Sequence, residues 1–204
     1  MKVESIVLGS IGTNCYIVTN EETKECFAVD MAECPQEYVN YIKNNGLEMK
    51  ALFLTHGHFD HIMGIDDFLK AFPVPVYAGE DELPVIEDDR LNVSSMYGPK
   101  YAFHGAKPVK DGQVIECAGI EVDVLQTPGH TVGGCCYYLP KEHRLFSGDT
   151  LFCASIGRTD LPTGSSSQLV RSVQEKIMTL PDDTKIYPGH MEAVSYTHLT
   201  LPTN

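Results

Sequence analysis

Short apolar runs separated by turn residues open the chain, over residues 5–8, 15–19 and 25–29, with Gly9, Gly12-Thr13-Asn14 and Asn20 at the breaks. Such runs predict β-strands, and three in succession with short connections predict an antiparallel meander. Over 35–45 the spacing changes, because Tyr38, Val39, Tyr41 and Ile42 fall on one helical face that Asn45-Gly46 ends. A strand at 51–54, a short helix at 64–71 and a strand at 74–78 follow. Residues 79–106 lose periodicity and carry Pro84, Gly98, Pro99 and Gly105, which predicts loops and helix fragments of the kind that cap a site. Strands return at 114–117, 120–125, 134–139 and 144–147. A last helix at 166–180 aligns Leu169, Val173, Ile177 and Leu180 on one stripe, and a final strand covers 185–187. No internal repeat is strong enough to name.

Composition narrows the partners. With 204 residues, 43% of them hydrophobic, the chain is long enough to bury a proper core. A net charge of −13 repels phosphate backbones, and no basic patch interrupts it, so nucleic acid is not an expected partner. The acidic stretch from Glu80-Asp81-Glu82 to Glu87-Asp88-Asp89 reads as a solvated loop face. Seven cysteines without framework spacing predict free, mostly buried thiols in a reducing compartment. Cys135 and Cys136, adjacent in a strand, point to opposite faces and read as packing. No leader pattern opens the chain and no apolar run suits a membrane span, so a cytoplasmic location without membrane contact is expected.

The candidate chemistry sits at strand ends. Thr55-His56-Gly57-His58-Phe59-Asp60-His61 follows the apolar run at 51–54, and three later turns each add one polar residue beside a glycine: Pro128-Gly129-His130, Gly148-Asp149-Thr150 and Pro188-Gly189-His190. Glycine lets the backbone turn sharply and aim its neighbour out of the strand. Open α/β sheets hold ligands at such places. His56, His58, His61, His130 and His190 with Asp60 and Asp149 make an all-N/O donor set, suited to Zn and also to Fe or Mn. Seven donors exceed one tetrahedral ion. Two divalent ions sharing a bridging carboxylate and a bridging water would use them all, and such a pair generates hydroxide near neutral pH, so hydrolysis leads.

The spacing H-x-H-x-D-H, then His, Asp and His, resembles the metallo-β-lactamase fold superfamily. The segment from Gly148-Asp149-Thr150 through Gly157-Arg158-Thr159-Asp160-Leu161-Pro162, and Gly12-Thr13-Asn14-Cys15-Tyr16, are similar to its glyoxalase II-like branch in a short, single-domain form. The resemblance covers residues 1–190 and implies an α+β fold, a four-layer αβ/βα sandwich. It implies that His56, His58 and His130 hold one metal, Asp60, His61 and His190 the other, and that Asp149 bridges. It also implies a dinuclear hydrolase in which a metal-bridging hydroxide attacks a thioester carbonyl, as in a hydroxyacylglutathione hydrolase, with Asp60 and Asp149 in catalytic roles. Another small ester or a lactone is an alternative substrate, and a mononuclear iron persulfide dioxygenase is the alternative reaction. True metallo-β-lactamases commonly carry Cys at the place of Asp149, so β-lactam hydrolysis is disfavoured; flavodiiron proteins carry Glu at the place of His58, so a diiron redox role is too. No residue supports glutathione recognition.

The remaining readings concern single residues. Asn92, Tyr97 and Arg158 are the expected substrate contacts, although Arg158 and Asp160 also read as an ion pair that shapes its loop. Asp30 is expected to hydrogen-bond the loop near the metals, and Thr55 and Thr131 to support ligands. His104, His143 and His198 read as surface residues. Residues 191–204 depart from the resemblance: 194–204 looks like translated sequencing-adapter text, and the expectation is a non-native tail.

Overall fold

A computed structural model describes residues 1–192 and the backbone of Val194–Ser195. The first sheet holds β1 (Lys2–Leu8), β2 (Thr13–Thr19), β3 (Glu25–Val29), β4 (Glu48–Phe53), β5 (Val76–Gly79) and β6 (Lys107–Val109) in sequence order. The first three form the expected antiparallel meander, after which β3 to β6 run parallel. Helices α1 (Gln36–Asn44), α2 (Phe59–Ile62), α3 (Ile65–Ala71), α4 (Leu83–Ile86) and α5 (Ser94–Tyr97) fall between these strands. The second sheet follows: β7 (Val114–Cys117), β8 (Ile120–Gln126), β9 (Cys135–Leu139) and β10 (Arg144–Gly148), then, after the ribbon β11 (Leu151–Phe152) and β12 (Ser155–Ile156) and helix α6 (Ser166–Ser172), β13 (Lys185–Pro188) and β14 (Val194–Ser195).

Three buried clusters fill the spaces between four layers. In β2, β3 and β9 nearly every residue is buried, so the period of two splits them between faces. Cys15, Ile17, Cys26 and Ala28 face α1 and α3, where Tyr38, Ile42, Ile65 and Phe68 meet them. Tyr16, Val18, Phe27 and Val29 face the second sheet, where they meet Val122, Val124, Tyr137 and Phe146. On the far side Cys136, Tyr138 and Leu145 pack against Val173 and Ile177. The chain is thus the expected four-layer α+β sandwich. Cys135 and Cys136 divide between two clusters as their adjacency requires.

The sheet-to-sheet core also fixes the strand ends. Phe53 contacts Phe27, Tyr77 and Tyr137 at centroid distances of 5.2, 5.2 and 5.1 Å, and such pairs add about 0.5–1.5 kcal/mol beyond their area. Tyr137 donates its hydroxyl to the carbonyl of Leu54 (2.8 Å), and Tyr16 donates to that of Pro188 (2.6 Å). Those carbonyls lie just before the His56 and His190 turns.

Several expectations are corrected. The second half of the histidine loop closes into the helical turn α2, and β6 and the β11–β12 ribbon were not foreseen. The last helix is α only to Ser172 and continues as a π-helix over Val173–Ile177. Glu82 departs from the solvated acidic face: it is 0% exposed, while Glu80, Asp81, Glu87 and Asp88 are exposed. Burial raises its carboxyl to about 7, against backbone N–H bonds that favour the ionised form. Among the described residues no helix is long and apolar enough to cross a membrane. His104 and His143 are exposed, beside Glu87 and Asp183. His198 and most of the expected atypical tail lie outside the described residues.

Candidate metal centre

All seven expected ligands come from the carboxyl ends of four strands: β4 (His56, His58, Asp60, His61), β8 (His130), β10 (Asp149) and β13 (His190). They converge in three overlapping groups whose ligand atoms lie within 4.8 Å of one another: His56, His58 and His130; His56, His61 and Asp149; Asp60, His61 and His190. Asp149 lies between the outer two. Its Oδ1 is 3.5 Å from His61 Nε2, and its Oδ2 is 3.7 Å from His130 Nε2 and 3.6 Å from His190 Nε2. Asp60 Oδ2 stands 3.2 Å from His190 Nε2 and 3.6 Å from His61 Nε2.

Hydrogen bonds on the outer side of the rings decide which nitrogen faces inward. His61 Nδ1 donates to Asp30 Oδ2 (2.8 Å), and His130 Nδ1 donates to the carbonyl of Arg158 (2.8 Å). The Thr55 hydroxyl donates to Asp30 Oδ2 (2.8 Å) and so accepts from His56 Nδ1 (3.2 Å). In the neutral ring, with Nδ1 carrying the proton, Nε2 presents a lone pair. His56 Nε2, His61 Nε2 and Asp149 Oδ1 are buried without a hydrogen-bond partner among the described residues. Buried polar atoms left unpaired cost about 1–3 kcal/mol each, and several converging on one floor fit a cation. His58 Nδ1 faces His130 Nε2 at 2.9 Å.

The charge pattern agrees with that fit. Burial holds His56 far below the usual imidazole range, His58 down to about 3, and His130 down despite the opposing Asp149 carboxylate. These three rings are neutral ligands in waiting. Burial also opposes charge on His61 and His190, but carboxylates outweigh it and raise both: Asp30, Asp60 and Asp149 at His61, and Asp60 and Asp149 at His190. Asp60 and Asp149 are lowered although burial resists, chiefly by His61. Divalent ions arriving here would displace the imidazolium protons.

Glycine matters at two of these turns because of close approach. A Cβ on Gly189 would lie 2.3 Å from Asp149 Oδ1, and one on Gly148, whose φ is +49°, 2.3 Å from Thr55 Oγ1. Gly189→Ala is therefore expected to displace the central carboxylate and lower metal content per chain, measured by elemental analysis after dialysis. Wild-type metal content would contradict the tight packing.

Other expected residues divide. A cavity of about 300 Å³ stands over the metal groups, walled by Ile11, Phe59, Val93, Tyr97, Arg158 and Leu161. Tyr97 is exposed at its mouth and stacks on Phe59 at 5.8 Å. Arg158 reaches the same cavity, yet its guanidinium is held by both oxygens of Asp160 at 2.7 Å, so the ion-pair reading also stands. Asn92 is the correction. It is fully buried, its amide donates to the carbonyl of Tyr101 (2.8 Å), and its Oδ1 accepts from Ser94 N (2.9 Å), which spends its polar atoms internally. Its carbonyl accepts from Phe59 N, and the turn it braces holds Val93 at φ +58°, a strained conformation for a β-branched residue. Asn92 thus shapes the wall that Val93 and Phe59 present. Thr131 is buried in a space it shares with His56 and His130, but its hydroxyl makes no hydrogen bond to a ligand ring among the described residues.

Sequence reasoning missed the clamp on His190. Asn14 donates its amide to the carbonyls of Pro188 (3.0 Å) and Met191 (2.7 Å), Asn14 N donates to the carbonyl of Gly189 (2.7 Å), and the Thr13 hydroxyl donates to Asp60 Oδ2 (3.3 Å). The available signal is the Gly12-to-Tyr16 motif, which contains both Thr13 and Asn14.

Known proteins share this chain's sequence pattern and fold. The family model described as the metallo-beta-lactamase superfamily matches residues 8–190. The probable metallo-hydrolase YqgX of Bacillus subtilis (strain 168) is 34% identical over 192 residues, 93% of this chain and 90% of that protein. The crystal structure of BLEG-1 B3 metallo-beta-lactamase has a TM-score of 0.91 at 35% identity, covering 97% of this chain and 95% of that one. The crystal structure of TTHA1623 in a di-iron-bound form has a TM-score of 0.82 at 30% identity, with 95% of each chain covered.

Proposed function

This chain belongs to the metallo-beta-lactamase superfamily, and from that premise we propose that it is a dinuclear metallohydrolase cleaving the thioester of a small molecule. The observation that carries the reading is Asp149, whose two oxygens face the histidines of both metal groups at the floor of one cavity. His56, His58 and His130 would hold one ion and Asp60, His61 and His190 the other. Two such ions supply, when bound, a hydroxide near neutral pH and polarisation of the scissile carbonyl. Zn suits the donor set best, with Fe or Mn as alternatives, and the di-iron form of TTHA1623 favours testing iron.

The chain's own residues do the rest. Asp60 lines the cavity floor, where its carboxylate accepts a hydrogen bond from the attacking water and orients it. Ile11, Phe59, Val93 and Leu161 exclude solvent from the acyl group, and Tyr97 closes the mouth. Glyoxalase II-like specificity rests on the segments around Asp149 and Gly12; an ester or lactone carbonyl would meet the same groups. A cytoplasmic site of action remains part of this proposal, on the free cysteines.

The test combines metal analysis with turnover of lactoylglutathione, a simpler acyl thioester and a lactone. About two Zn, Fe or Mn per chain is expected, with thioester hydrolysis lost on chelation and restored by the metal. One Fe per chain with oxygen uptake on a persulfide would overturn the reading in favour of the dioxygenase. A second reading is β-lactam hydrolysis, favoured by the similarity to BLEG-1 B3 metallo-beta-lactamase. A chromogenic cephalosporin assayed on the same preparation separates the two.

A further inference from the structure

We propose that Glu82 is a positioning residue that sets the spacing of His56, His58 and His130, and so the affinity of one metal position out of two. This rests on the metallohydrolase reading. Glu82 closes the turn after β5 and is fully buried. Its Oε1 accepts from Gly57 N at 2.7 Å, and its Oε2 accepts from Gly133 N at 2.8 Å. Gly57 stands between His56 and His58, and Gly133 lies in the turn that follows His130. One carboxylate therefore joins the two loops that carry this ligand group, and among the described residues it makes no hydrogen bond to the loops that carry Asp149 and His190.

The packing leaves the junction no slack. A Cβ on Gly133 would lie 2.1 Å from Glu82 N, and one on Gly57 2.9 Å from Ile86 Cγ1. On the other side, a Cβ on Gly79 would lie 2.2 Å from the Gly133 carbonyl oxygen. Gly133 is pressed against the turn that carries Glu82 and Gly57 against α4, which follows it directly, so the carboxylate between the two loops holds their separation. A carboxylate has two acceptor oxygens and no donor, whereas the amide of Gln would turn an N–H toward one of the two backbone N–H groups. Glu82→Gln is thus nearly isosteric but chemically mismatched at one loop.

The experiment is a Co²⁺ titration of metal-free wild type and Glu82→Gln, followed by visible absorption. The two binding phases are assigned with His130→Ala and His190→Ala. In Glu82→Gln the phase lost in His130→Ala is expected to weaken about 10- to 100-fold, in line with the effect of removing groups that orient ligands. The phase lost in His190→Ala should stay within about threefold, on the same reasoning. Unchanged affinity in both phases, or equal weakening of both, would overturn the role of Glu82 while leaving the metallohydrolase reading intact. A wild-type chain that takes up no Co²⁺ would sink both. If Glu82→Gln does not fold, Glu82→Asp keeps two acceptors on a shorter stem. It should show the same selective weakening, and its absence counts against the proposal equally.

Discussion

Asp149→Ala is expected to abolish hydrolysis, with kcat/KM falling by at least about three orders of magnitude, or roughly 4 kcal/mol of transition-state stabilisation. The size follows from its position. Its two oxygens face His61 on one side and His130 and His190 on the other, so alanine leaves two metal groups with no shared ligand. The fold should survive, because the side-chain neighbours of Asp149 are the other ligands and no hydrophobic cluster depends on it. His58→Ala should cost activity similarly through the first group alone. Steady-state kinetics at saturating metal and elemental analysis check both, with thermal melting of the metal-free proteins as the control for folding. Turnover within tenfold of wild type in both variants would sink the dinuclear mechanism.

The ligands were legible because their signal is local. A glycine beside a polar residue after an apolar run states where a strand ends and what it presents, and His56, Asp149 and His190 could each be read that way. Their supports were legible where these too stand at strand ends, as Asp30 and Thr55 do; the rest comes from distant residues. Asn14 braces the His190 turn across a separation of 174 residues, and the Gly12-to-Tyr16 motif marks Asn14 without naming the turn it holds. Glu82 sits among acidic neighbours that are solvated, and only the approach of Gly57 and Gly133 distinguishes it. Asn92 failed for the opposite reason. A polar residue in an irregular segment looks available to substrate, but a turn without regular structure must satisfy its own backbone, and Asn92 does that work. The layers themselves were readable because period-two strands with both faces apolar need a partner on each side.

Asp30→Asn is expected to weaken both metal positions and to lower the stability of the metal-free chain by about 3–5 kcal/mol. Asp30 is buried and accepts three hydrogen bonds: Thr55 N at 2.8 Å on Oδ1, and the Thr55 hydroxyl and His61 Nδ1, each at 2.8 Å, on Oδ2. An amide supplies one acceptor oxygen and two donors, so at least one of these donors would face another donor. The backbone does not confound the change, because Asp30 has φ +59° and Asn tolerates that left-handed conformation equally well. At this chain length the loss corresponds to a melting shift of roughly 6–20 °C. Metal affinity should fall at both positions, because Asp30 fixes the proton of His61 directly and that of His56 through Thr55, one ligand from each group. Glu82→Gln, which loosens only the first group, is the contrasting case. Co²⁺ titrations that show Asp30→Asn weakening a single phase would mean that the Thr55 relay does not hold His56.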